Sequence, residues 1–151
     1  MPSSQFRFRL ERVRALRERR EDLAKQELAL ALGRLADSEE RLRDVGHRLQ
    51  RAREEHSSAV RSRTFSGADL RAGQAFLERV EAQRSEGVQE LRRSESAVAD
   101  RGAELSVAAQ EHQMLERLKR RHEEEHVREL RRVESATLDE IAIDRFRRST
   151  T

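Results

Sequence analysis

The chain has 151 residues, of which 40% are charged, 35% hydrophobic and 3% aromatic, with 32 Lys and Arg against 29 Asp and Glu. That stock cannot fill the thick core of a globular domain; with Arg, Glu, Leu and Ala dominant and proline confined to Pro2, it is the composition of long helices. The lack of cysteine excludes disulfides, thiolate catalysis and thiolate metal sites, and the longest purely apolar run, Leu28 to Leu32, falls far short of the roughly 20 residues that span a bilayer.

Ser3 or Ser4 can cap a first helix, predicted over about residues 4–61. An apolar stripe runs from Phe6 through Leu10 and Val13, then from Ala24 along Leu28, Leu35, Leu42 and Leu49, with Ala31, Ser38, Val45 and Ala52 between them. This is a heptad seam narrow enough for one partner helix, and its small residues allow close approach. Arg17 and Glu21 interrupt the seam, so weak or wet pairing is expected there.

Residues 62–67 read as a turn. Ser66 and Asp69 have the spacing of a capping box, with Asp in place of the usual Glu or Gln, and Phe65 and Leu70 that of a hydrophobic staple. A kink in one continuous helix is the competing reading. A second helix, about 67–146, carries Leu70, Leu77, Val80, Leu91, Val98, Leu105, Ala108 and Leu115, then slips phase and resumes at Leu118. Gly73, Gly87 and Gly102 at or beside its seam mean either close contact or local looseness. Asp144 to Thr151 is the expected fraying end.

The expected fold is therefore all-α, an antiparallel two-helix coiled-coil hairpin spanning 1–151 as a single unit, with the second helix longer than the first. Folding about Thr64 places Phe6 near residue 124. The residues beyond keep an apolar face, Val127, Leu130, Val133, Leu138 and Ile141, for which the first helix offers no cover, and such a face suggests a partner interface. The same end is basic: residues 1–20 hold seven Arg and two Glu, and Arg117, Lys119, Arg120 and Arg121 come level with them. Such a tip suits an acidic protein surface, an anionic membrane face or nucleic acid.

His122-Glu123-Glu124-Glu125-His126 matches the zincin pattern of two histidines on one helical face. A zinc protease also needs a third ligand and a cleft, which a charged helix pair does not offer, so neither catalysis nor a metal or other cofactor is expected. Nucleic-acid binding fits the tip charge but lacks aromatic stacking residues. The phenylalanines Phe6, Phe8 and Phe146 near the chain ends, and Phe65 and Phe76 near the turn, can plug the coil or serve as anchors for partners.

The opening Phe6-Arg7-Phe8-Arg9-Leu10-Glu11-Arg12-Val13-Arg14-Ala15-Leu16-Arg17 resembles that of the flagellar export FliJ family, as do Ala75-Phe76-Leu77-Glu78-Arg79-Val80 after the turn and the close Leu138-Asp139-Glu140-Ile141-Ala142 before Arg145, Arg147 and Arg148. The resemblance implies a non-enzymatic, stalk-like coiled coil of the flagellar type III export apparatus. It implies docking in the export ATPase hexamer and contact with the export-gate membrane protein and export chaperones, in the cytoplasm at the inner face of the membrane. Carried over by position, the ATPase-ring contact would involve Arg7, Arg9, Leu10, Val13, Arg17, Ile141 and Arg145, and the gate contact Phe76 and Val80. This family's Tyr and Trp, present in some relatives, are missing here, which bears on the gate surface. A lone hairpin is expected to be a monomer. The alternatives are a scaffold or homodimeric coiled coil, or a basic nucleic-acid-binding rod.

Overall fold

In the computed structural model the described residues are 5–62 and 64–149. The proposed caps Ser3 and Ser4, Arg63 of the turn, and Thr150 and Thr151 of the tail lie outside them. Two helices account for nearly all of the described chain: α1, Glu11–Ser62, of 52 residues, and α2, Gly67–Ser149, of 83 residues. The class is all-α, the helices pair antiparallel, and the second is the longer, as the periodicity predicts.

The helices persist because neither contains a proline and both are rich in Ala, Leu, Glu and Arg, the residues that lose least on entering a helix. What starts α2 is the capping box. The backbone N–H of Asp69 donates to Ser66 Oγ at 3.2 Å, while the backbone N–H of Ser66 donates to Asp69 Oδ2 at 3.1 Å and its hydroxyl to the same oxygen at 2.7 Å. Those bonds, the side-chain one foremost, hold the Asp69 carboxyl below its ordinary pKa. The first helical bond, Leu70 N–H to the Ser66 carbonyl at 3.2 Å, follows directly. A shorter Asp thus does the work of the usual Glu.

Helix α1 begins later than expected. Residues 5–8 have no regular structure, residues 9 and 10 form a turn, and the helix opens at Glu11 rather than about residue 4. The reason lies in the alternation of Phe6-Arg7-Phe8-Arg9-Leu10. Exposure alternates along it, with Phe8 buried, Phe6 and Leu10 half-buried, and Arg7 and Arg9 exposed. A period of two suits an extended segment, and a helix would turn one of the two phenylalanines to solvent.

The chain divides into two compact units, Asp22–Ser106 around the turn, and Met1–Glu21 with Val107–Thr151. In the turn unit the apolar core is Leu49, Ala52, Leu77 and Val80, with Val45 packed against it, and Val80 is the most buried side chain at 2% exposure. Cross-helix pairs such as Arg53–Glu81 at 3.1 Å and Arg101–Glu27 at 3.2 Å follow an antiparallel register about Thr64.

Ser38 and Ser94 meet inside this unit, both buried, with their hydroxyl oxygens 3.0 Å apart. Side chains this small let the backbones approach. Gly73 and Gly87 do likewise: a Cβ at Gly73 would stand 2.8 Å from His56 Nδ1, and one at Gly87 would stand 3.2 Å from Leu42 Cδ1. Close contact is thus the reason for these two glycines. Gly102, by contrast, faces open space.

Candidate functional site

The terminal unit is assembled on different principles. Phe8, 7% exposed, is the one buried apolar side chain among its described residues. Its ring meets the edge of His122 at 5.9 Å between centroids and 64°, and Phe6 lies tilted on His126 at 5.7 Å. The second pair falls within two residues of the partner expected for Phe6. The two histidines of the zincin-like stretch therefore face the opening segment of the chain, and no group of three or more His, Cys, Asp or Glu able to hold a metal occurs among the described residues.

Where Arg17 and Glu21 break the seam, ion pairs take the place of apolar contacts. Arg14 reaches Glu116 across the pair at 2.6 Å and Glu11 on its own helix at 2.7 Å, Lys119 reaches Glu11 at 3.4 Å, and Arg17 bonds Glu111. His112 sits between two carboxylates, with Nδ1 2.6 Å from Glu21 and Nε2 3.2 Å from Glu116. An imidazole with both nitrogens against carboxylates satisfies both only when it is doubly protonated. The Glu21 bond first, then that to Glu116, raises the His112 pKa above its ordinary value, against partial burial. Arg14, helped by His112, holds Glu116 below the usual carboxylate range, and Arg14 does the same for Glu11.

The ring-contact residues expected from the resemblance occupy unlike environments. Arg7, Arg9 and Arg145 are exposed, Val13 is 40% and Ile141 45% exposed, Leu10 is half-buried, and Arg17 is tied to Glu111. Ile141 and Arg145 lie far along α2, whereas Arg7, Arg9, Leu10, Val13 and Arg17, in residues 5–10 and the start of α1, come level with the stretch 111–126 of that helix. The apolar face of α2 beyond it is open, with Val127, Leu130, Val133, Leu138 and Ile141 between 38% and 66% exposed. Ile143, 53% exposed, lies off that face, since two residues along a helix from Ile141 is about 200° round it. Every described residue from Val127 to Ser149 is exposed.

At the turn end, Phe76 is 45% exposed with the Arg79 guanidinium over its ring at 5.9 Å. Beside it runs a shallow groove lined by Ala52, His56, Ala59, Phe65, Leu70 and Gly73. Phe65 and Leu70 both line it, as a staple would, although Phe65 remains 51% exposed. Val80 lies in the core and not on this surface.

Fold and site together define a class: an antiparallel two-helix hairpin protein with an ionic, partly apolar terminal end, in which no described helix is long and apolar enough to cross a membrane. Within that class, the family model described as Flagellar FliJ protein matches residues 6–151, nearly the whole chain, and the chain belongs to that family. No curated protein and no solved structure matches it.

Proposed function

We propose that this chain is a non-enzymatic component of the bacterial flagellar type III export apparatus, acting as one hairpin whose terminal end docks inside the export ATPase ring. Membership of the FliJ family supports the export role. The single observation that favours docking at this end is the open apolar face of α2, Val127 to Ile141, beside the exposed guanidinium groups of Arg7, Arg9 and Arg145. An apolar face with a basic margin fits an acidic-rimmed cavity, and steering by the arginines speeds encounter.

In this reading the chain couples motion by contact. Docked asymmetrically, it touches some subunits of the ring differently from others, and that difference in contact free energy biases both partners. Arg7, Arg9, Leu10, Val13, Ile141 and Arg145 touch the ring, while Arg17 acts through its bond to Glu111 by fixing the helix pair. Phe76 faces the membrane export gate, and Val80 serves that contact from beneath, by setting the spacing of the helices. Export chaperones are further partners, and the site of action is the cytoplasmic face of the inner membrane.

The test is binding of the purified chain to the export ATPase by light scattering or co-sedimentation across a salt series. The charge-reversed triple variant Arg7→Glu, Arg9→Glu, Arg12→Glu should bind more weakly and lose much of its salt dependence. Removing residues 127–151 should abolish binding while leaving the turn unit folded. Unchanged binding of both variants at low and high salt refutes the proposal.

A further inference from the structure

Three observations converge on the opening segment. Residues 5–8 are non-helical although α1 opens only three residues on, at Glu11, their exposure alternates, and the two inward rings each rest on a histidine of the His122-Glu123-Glu124-Glu125-His126 stretch. Spacing of four on α2 puts both imidazoles on one helical face, one turn apart, a rise of about 6 Å. Alternate residues of an extended chain advance by about the same distance, roughly 6.6 Å. The match in pitch is what lets Phe6 and Phe8 address the two histidines in step.

We propose that His122 and His126 form an aromatic clasp that closes residues 5–10 as a strap on α2, and that the closed strap presents Arg7 and Arg9 as a fixed pair to a carboxylate-bearing protein surface. The identity of that surface as the ATPase ring rests on the function proposed above; the clasp does not. Both histidines are positioning residues: they do not contact the carboxylate-bearing surface, and act by anchoring the Phe6 and Phe8 rings so that the guanidinium groups of Arg7, between the rings, and Arg9, just after them, project outward. Neither Arg7 nor Arg9 has an ion-pair or hydrogen-bond partner among the described residues, whereas Arg14 and Arg17, just beyond the strap, are committed to Glu116 and Glu111. Two held cations lose less freedom on meeting carboxylates than two on a loose arm.

The strap carries its own reporter, since trypsin cuts after arginine and Arg7 and Arg9 lie within it. Release of the terminal peptides by dilute trypsin, followed by mass spectrometry on the full chain, measures how often the strap opens. The double variant His122→Ala, His126→Ala should be cut at these two bonds about tenfold faster, the scale expected for losing two aromatic pairs. The variant His122→Phe, His126→Phe should restore the parent rate, which a loss of imidazole hydrogen bonding alone would not allow. Equal cleavage rates in parent and alanine variants overturn the clasp. Salt-dependent binding to the ring should fall in the alanine pair and return in the phenylalanine pair. Faster cleavage with undiminished binding overturns the presentation of Arg7 and Arg9, provided that the charge-reversed triple variant still loses binding; if that variant also binds normally, it is the ring reading that fails.

Discussion

Replacing Ser38 and Ser94 by alanine, singly and together, probes how the close approach of α1 and α2 in the turn unit is maintained. The Ser38 hydroxyl donates to the Arg34 carbonyl at 2.9 Å, which uses its only hydrogen. The 3.0 Å contact between the two serines must then be a donation from Ser94 to Ser38. Ser94→Ala removes that one bond and should cost about 1 kcal/mol. Ser38→Ala should cost more, about 1–3 kcal/mol, because it leaves a buried hydroxyl without its acceptor. In the double variant nothing polar remains to be satisfied, and its cost should fall below the sum of the single costs by about 1 kcal/mol. Urea unfolding followed by far-ultraviolet circular dichroism measures all four proteins, and constant m-values would establish that midpoints report stability. If the single effects add to within about 0.3 kcal/mol, the two hydroxyls are not coupled and the reasoning fails.

Stability should depend on pH through His112. Its pKa is raised in the folded chain, so its contribution is fully present below the unfolded value of about 6.5 and is lost as pH rises through the higher folded value. Thermal melts across this window should show that decline in the parent and a flatter profile in His112→Gln. Gly46→Ala and Gly102→Ala, where an added methyl meets nothing within 4 Å, should each stabilise by up to about 1 kcal/mol, measured by urea midpoint. Gly73→Ala should fall short of them or destabilise, since its methyl would press on the His56 ring.

Much of this fold is written in local pattern. The heptad Leu28, Leu35, Leu42, Leu49 with its small partners announces a helix pair, and Ser66 with Asp69 announces the turn, because both depend on neighbours at fixed offsets along the chain. The start of α1 is legible too, but in the other period: a helical stripe from Phe6 to Leu10 passes over Phe8, whereas the strict alternation of Phe6 and Phe8 with Arg7 and Arg9 signals an extended segment. What sequence could not supply is the cross-helix choice of partner. That His112 lies between Glu21 and Glu116, and that Val80 turns inward while Phe76 turns outward, depend on the phase of one helix against the other. Spacing along either helix leaves that phase open.

The two units owe their cohesion to different forces. Around the turn, Leu49, Leu77 and Val80 exclude water, whereas near the termini the pairing relies on partly exposed guanidinium, imidazole and carboxylate groups that dissolved ions compete for. Ionic strength is therefore a handle that grips one end of the hairpin and slips off the other. Added salt should loosen the terminal pairing before it disturbs the apolar packing around the turn.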